Sequence, residues 1–356
     1  DSLSWDKMAR RDLPSTFTPK AQKTVKLGDK AYCLTSNGNG SYEIASTADP
    51  AAGDWSVATA NFAFTPNVNS LTATSEALYI LSADGALYTS ADGANWSTCH
   101  TNSRWTTIVG GYNSILLGVR QENAGEYYHT TFPAANTPDK KIGEGFPIGD
   151  LSNTVLISNK WAEYPQLIMT GGKLTDGSLS ASIWGYDGHS WARLGYDLPK
   201  ATASASLLSF DVAVTDSVTW TVTEMPALLL FGGRDANGIN SVTYISRDMG
   251  MTWKQADNLL QLPAYITPRH SAQPLVFEST LRATSRSGRD AWQAIKPTSL
   301  PGWWIPADAA SSRAIAPITQ WECPYIYLFG GYDSNNNLFN DIWKGTINRL
   351  TFKPLQ

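Results

Sequence analysis

The sequence predicts an all-β protein, a β-propeller of six four-stranded blades, and three observations predict it. A tight turn recurs before tryptophan. The clearest copies are Ser90-Ala91-Asp92-Gly93-Ala94-Asn95-Trp96 and Ser246-Arg247-Asp248-Met249-Gly250-Met251-Thr252-Trp253; looser ones are Asp187-Gly188-His189-Ser190-Trp191 and Asp49 through Gly53 to Asp54-Trp55. A second marker ends strand-like runs in paired glycines: Ile168-Met169-Thr170-Gly171-Gly172, Leu229-Leu230-Phe231-Gly232-Gly233 and Tyr327-Leu328-Phe329-Gly330-Gly331. Third, the opening stretch from Trp5 to Asp12-Leu13-Pro14 parallels Trp191 to Asp197-Leu198-Pro199 and Trp253 to Gln261-Leu262-Pro263. Copies spaced roughly 40–60 residues apart, made only of strands and turns, are the mark of propeller blades.

Each element follows from these markers. A blade runs from inner strand a to outer strand d. The Asp-Gly turn is the c–d hairpin, because Gly accepts φ > 0 and Asp bonds its own backbone. The Trp after it opens strand d and covers the seam to a neighbouring blade, so Trp96, Trp191 and Trp253 are expected to be buried. Paired glycines close strand b and let backbones approach. Blade 1 is read at Thr24 to Phe64, blade 2 at Asn69 to Ser103, and blade 3 at Trp105 to Phe146 with the degenerate marker Ile115-Leu116-Leu117-Gly118-Val119. Blade 4 includes Thr154 to Leu194, and blade 5 spans Ala205 to Gln255 with a lengthened first hairpin through Asp216. Blade 6 takes Arg313 to Thr319, Tyr325 to Gly331 and Asn340 to Thr346. It then lacks strand d, which the N-terminal segment Ser4 to Arg10 supplies, closing the ring and removing an open edge. One propeller domain thus covers residues 1–356, with a long connection at about 264–312; a degenerate seventh blade hidden there is the alternative.

Composition excludes several classes. Only 16% of residues are charged and the net charge is −4, which gives no electrostatic footprint for nucleic acid or an anionic membrane. No apolar run is long enough to span a bilayer. The chain starts at Asp1 without a methionine or a signal peptide and reads as a mature or trimmed chain. Cys33, Cys99 and Cys323 lie far apart with no Cys-x-x-Cys, which reads as small buried strand residues and not as a metal or redox motif.

At Leu230-Phe231-Gly232-Gly233, and at Leu328-Phe329-Gly330-Gly331 followed by Asp341-Ile342-Trp343, the chain resembles Kelch repeats. At Ser246 to Trp253 it resembles the Asp-box of sialidases. The mixture is similar to secreted six-bladed propellers of gut Bacteroidetes that carry only a domain-of-unknown-function label. That resemblance implies a place in the periplasm or on the outer cell surface, often beside an additional N-terminal domain. Blades 1 and 2 depart from it in lacking paired glycines, and blade 3 in lacking the Asp-box and its Trp. The motifs specify fold and are nearly silent on function.

No catalytic signature emerges. Sialidase chemistry needs an arginine triad, a Tyr–Glu nucleophile pair and an acid, and the Arg-Ile-Pro that usually opens such propellers is missing. Asp92, Asp187 and Asp248 read as hairpin locks on the outer rim. The four histidines, His100, His129, His189 and His270, form no pair at ligand spacing, so no metal or cofactor is expected. Asp333-Ser334-Asn335-Asn336-Asn337 suits either a calcium loop or, more simply, a polar hairpin. The alternative function is a glycan-active enzyme with an unrecognised acid pair, for which Glu122, Glu126, Asp235 and Glu278 are the carboxylates to check.

The expected function is a non-catalytic propeller that binds a glycan or a partner protein. Loops b–c and connections d–a emerge on one face, loops a–b and c–d on the other. Residues just after the strand-b marker therefore ring the channel mouth: Arg120, Lys173, Arg234 and Tyr332. The long connection, placed between strand d of blade 5 and strand a of blade 6, adds Arg269, His270, Arg282, Arg286, Arg289, Trp292 and the pair Trp303 and Trp304 on the same face. The competing readings are solvated strand ends for the ring and a loop pinned onto blade 6 for the tryptophan pair.

Overall fold

A computed structural model describes residues 2–7, 22–36, 40–101, 104–110, 116–123, 126–132, 140–147, 154–156, 166–215, 222–277, 280–281, 321–322 and 325–348. They form six four-stranded antiparallel sheets arranged as blades. Blade 1 is Gln22–Leu27, Lys30–Ser36, Tyr42–Thr47 and Ser56–Ala60. Blade 2 is Pro66–Ala73, Leu78–Ser82, Leu87–Ser90 and Ser97–His100. Blade 3 is Thr107–Gly110, Leu116–Asn123, Glu126–Phe132 and Lys140–Lys141. Blade 4 is Thr154–Leu156, Leu167–Thr170, Ile183–Tyr186 and Trp191–Arg193; blade 5 is Ser206–Thr215, Val222–Phe231, Tyr244–Ser246 and Lys254–Gln255.

Blade 6 closes the ring with both ends of the chain. Its order from the axis outward is Gln273–Phe277, Tyr325–Phe329, Ile342–Asn348 and Ser2–Lys7. The N-terminal strand pairs with its partner from Ser2↔Asn348 to Lys7↔Trp343, slightly earlier than the expected Ser4 to Arg10.

One expectation is corrected here. The inner strand of blade 6 is Gln273–Phe277, in register Gln273↔Phe329 to Phe277↔Tyr325, and not Arg313 to Thr319. The d–a connection therefore ends at Ala272. The chain then continues from the far end of strand a, where Thr280–Leu281 pairs with Trp321–Glu322. The residues between Leu281 and Trp321 lie outside the described residues.

Six apolar clusters hold the ring, one at each seam between successive blades. The period-2 alternation of strand b explains how. In blade 5, Leu228 and Leu230 pack toward blade 4, while Ala227, Leu229 and Phe231 pack toward blade 6. In blade 1, Tyr32 and Leu34 face blade 2, whereas Ala31 and Cys33 join Leu275, Tyr327 and Phe329 of blade 6. Side chains on a strand point alternately to two faces, and here both faces are interior. Burial in this last seam pushes the Cys33 thiol up to about 11, against a smaller opposing effect of Thr24.

The tryptophans of the tight turns lie in these seams, two of the three as deeply as expected. Trp191 and Trp253 are buried, and Trp96 is half-buried, stacked on Phe62 at 5.3 Å. Each indole of the two clearest copies donates back to its own turn: Trp96 Nε1 to Gly93 O at 2.9 Å, Trp253 Nε1 to Gly250 O at 3.0 Å. Among the described residues no helix is long and apolar enough to cross a membrane.

Candidate functional site on the b–c face of blades 5 and 6

The paired glycines make this face. All six have positive φ, from 55° at Gly330 to 110° at Gly172. A Cβ on Gly171 would lie 2.0 Å from Thr202 O, and one on Gly232 would lie 2.2 Å from Arg269 O. No side chain fits there, because the d–a connection of the next blade crosses directly over strand b. Gly172 N bonds Thr202 O at 2.8 Å and Gly233 N bonds Arg269 O at 3.1 Å, which stitches blade 4 to blade 5 and blade 5 to blade 6.

Beyond each glycine pair the chain re-forms a short arm. Lys173 bridges Leu179, Arg234 pairs with Ile239, and Tyr332 bridges Leu338. The d–a connection adds a third line to two of these arms, with Ala203 bridging Arg234 and His270 bridging Tyr332. Ser204 and Ser271, at φ 57° and 59°, turn the chain from this bridge into strand a of blades 5 and 6. The ladder thus resumes at a new angle, and its side chains aim across the seam.

Arg234 is the one that reaches across. From the blade 5 arm, its Nη2 lies 2.8 Å from His270 Nε2 and 2.5 Å from Asn336 Oδ1, both on blade 6. A guanidinium only donates, so His270 Nε2 accepts and the imidazole carries its proton on Nδ1. That nitrogen lies 2.9 Å from Ser271 Oγ, its acceptor. Burial holds the His270 pKa below the usual histidine value, Arg234 lowers it further, and Asn336 and Asp333 oppose the shift. The neutral ring stacks on Tyr332 with centroids 5.5 Å apart and planes at 20°. The sequence places Arg234, Tyr332 and, through the long connection, His270 on this face, but it does not single out His270 or Asn336 as partners of Arg234. A readable signal existed: Ala203-Ser204-Ala205 recurs as His270-Ser271-Ala272, so His270 stands where blade 5 has a small residue.

The remaining candidates separate. Arg269 is buried and structural: its Nη1 and Nη2 take Asp341 Oδ1 and Oδ2 at 2.5 and 3.1 Å, with further bonds to Gly330 O and Thr267 O. Its guanidinium also sits 4.0 Å above the Phe339 ring. Its side chain is thus taken up within blade 6 and makes no contact with the Arg234 cluster among the described residues. Next to it, a cleft of about 280 Å³ opens in the seam, lined mainly by Phe231, Leu262, Pro263, Ile266, Pro268 and Leu328. Lys173 is exposed on the blade 4 arm, which lies apart from the blade 5–6 seam that Arg234 spans. Arg120 lies in the b–c ladder opposite Tyr128, 4.6 Å over the Tyr128 ring and ion-paired with Glu122. Trp303 and Trp304, with Arg282, Arg286, Arg289, Trp292 and Glu278, lie outside the described residues. Of the expected 264–312 connection, only the part up to Ala272 precedes strand a, and residues 282–312 lie outside the described residues.

Over residues 1–355 the sequence matches the family described as the DUF6242 beta propeller domain. The chain belongs to that family. A search of curated proteins finds no match. Among solved structures, one described as the structure of YjhT is similar at TM-score 0.52 and 11% identity, covering 97% of this chain and 99% of that one. SapL1 lectin in complex with alpha methyl fucoside is similar at TM-score 0.43 and 14% identity, over 72% of this chain and 84% of that one. An arginine-substituted mutant of AofleA from Arthrobotrys oligospora is similar at TM-score 0.48 and 14% identity, over 99% and 92%. At these identities the first likeness bears on the fold alone.

Within the DUF6242 propeller the carboxylates are engaged in other work. Asp92 Oδ1 accepts from Ala94 N and Asn95 N, each at 2.9 Å, and the Asn95 amide is the main reason its pKa lies below the usual range. Asp187 takes His189 N and Ser190 N at 2.8 Å, and Asp248 takes Thr252 N at 2.9 Å. Glu126 is exposed and held low by Asn123 first and then Lys141. Asp235 lies 3.8 Å from Lys200 Nζ and accepts from Asn237 N. Asp333 binds Asn335 N, Asn337 N and Asn337 Nδ2 at 2.8–3.0 Å, the pattern of a polar hairpin. Among the described residues no group of His, Cys, Asp or Glu is arranged to hold a metal ion.

Proposed function

We propose that this propeller is a non-catalytic binding domain that holds a glycan on the b–c face of blades 5 and 6. The observation that carries the reading is Arg234 reaching across a blade seam to His270 and Asn336 beside a stacked His270–Tyr332 pair. Flat rings next to fixed polar donors suit a sugar, whose C–H face stacks while its hydroxyls bond. The rigid backbone stitching at Gly233 and Tyr332 keeps this arrangement in place without ligand, which lowers the ordering cost of binding. The likeness of the repeat markers to Kelch and Asp-box turns, and to secreted Bacteroidetes propellers, supports a place in the periplasm or on the outer cell surface.

A glycan array on the purified chain tests this, with the double variant Arg234→Ala/Tyr332→Ala alongside. The expected result is a defined set of bound glycans, lost in the double variant while its thermal midpoint stays near that of the wild type. Binding that survives the double variant would move the site elsewhere.

A further inference from the structure

We infer that the ligand of this site presents a carboxylate, and that Arg234 is the residue that takes it; the inference rests on the b–c face being the binding site. The argument is one of charge and of open donors. Two neighbouring cations have carboxylate partners in the structure: Arg269 with Asp341, and Lys200 with Asp235. Arg234, only partly exposed, has none among the described residues. Its partners are the neutral imidazole of His270 and the side-chain oxygen of Asn336, and both are reached through Nη2 alone. Among the described residues Nη1 and Nε make no hydrogen bond, so one edge of the guanidinium fork is open.

A partly buried cation without a counter-ion is a standing electrostatic deficit, which a bound anion repairs. The fork geometry favours a planar, two-oxygen acceptor over a single hydroxyl. The acid acting on His270 is Asp333, and its carboxylate is turned onto its own hairpin by the Asn335 and Asn337 amides. It tempers the positive field without reaching Arg234. Beside the fork, the His270–Tyr332 pair supplies a flat wall against which a sugar ring can lie. The chemical class that uses both features is an acidic saccharide, with its carboxylate on the fork and its ring on the wall.

The test uses the whole chain in calorimetric titrations with glucuronate- and galacturonate-ended oligosaccharides and with their methyl esters, which keep the ring and remove the charge. The acids are expected to bind about tenfold or more tightly than the esters. Arg234→Ala should erase that difference, and Arg234→Lys, which keeps the charge but loses the fork, should retain part of it. Asp333→Asn keeps the hairpin acceptor while removing a negative charge. It should strengthen binding of the acids about twofold and leave the esters unchanged. Acids and esters binding equally, both weakened by Arg234→Ala, would overturn the carboxylate while leaving the site in place. Acids binding more tightly than esters in wild type and Arg234→Ala alike would overturn Arg234 as the residue that takes the carboxylate. No acid bound at millimolar concentration would overturn the inference directly.

Discussion

Two arginines occupy the same place in the repeat and do different things. In blade 3 the strand-b marker is degenerate, Gly118-Val119, and the hairpin runs straight on with Arg120 opposite Tyr128. Arg120 folds back onto its own blade, over Tyr128 and against Glu122. In blade 5 the marker is Gly232-Gly233, both at positive φ, and the ladder breaks before Arg234. The break re-aims the arm, and Arg234 bonds the next blade instead of its own. What separates a satisfied surface arginine from an open, seam-spanning one is the backbone preceding it. A binding site is made here by the conformation of two glycines as much as by the residue that follows them.

That contrast can be broken or sharpened experimentally. The largest effect is expected from a third arginine. Arg269→Ala strands Asp341 in a mostly buried position and should destabilise by about 3–5 kcal/mol, measured by chemical denaturation. A loss below about 1 kcal/mol would mean that the pair is not the structural anchor described. Gly232→Ala comes next, because left-handed backbone alone costs an alanine about 1–3 kcal/mol and the added methyl meets Arg269 O. It should also abolish ligand binding by shifting Arg234; intact binding would show that the break does not aim the arm.

Smaller effects test the blade 3 side. Glu122 is the exposed member of its pair with the mostly buried Arg120, so Glu122→Gln should destabilise by about 1 kcal/mol and leave ligand affinity unaltered. A change in affinity would bring Arg120 back into the site. The smallest effect is a pH dependence. His270 has a depressed pKa in the folded chain, so the unfolded chain binds its proton first as pH falls. Its contribution is therefore fully present above the ordinary value of 6.5 and declines between there and the lower folded pKa. Thermal midpoints across that interval should drop more in the wild type than in His270→Gln, and parallel curves would argue against a neutral imidazole at the seam.

Much of the ring was legible because its markers answer to local constraints. Asp-Gly turns, the tryptophan after them and the glycine pairs are each demanded by backbone geometry within a few residues, so they survive in the sequence as a pattern. The N-terminal closing strand was legible for the same reason, since Trp5 repeats the place of Trp191 and Trp253. Strand a of blade 6 was not. Gln273-Pro274-Leu275-Val276-Phe277 carries a proline and no turn marker, and its pairing with Tyr325–Phe329 spans a long stretch of sequence. The role of Arg269 was hidden likewise, because its partner Asp341 lies on another strand and nothing local announces a buried ion pair. His270 was visible as a residue, but its meaning depends on Arg234 from the neighbouring blade.

The closure of blade 6 has a consequence for how the chain becomes a ring. Trp5 is the aromatic that seals the seam beneath the candidate site, stacking edge-on to Phe231 at 5.9 Å. Its strand pairs with Ile342–Asn348, at the other end of the chain. During synthesis Ser2–Lys7 therefore waits without its partner until the chain has been made through to Asn348. The five self-contained blades can form in order, as local hairpins do, while the sixth is a late, long-range event. Until it happens, the outer edge of Ile342–Asn348 is open and able to accept the opening strand of another molecule. At high concentration the error expected of such an edge is an exchange of Ser2–Lys7 strands between rings, which would appear as linked dimers in size-exclusion chromatography.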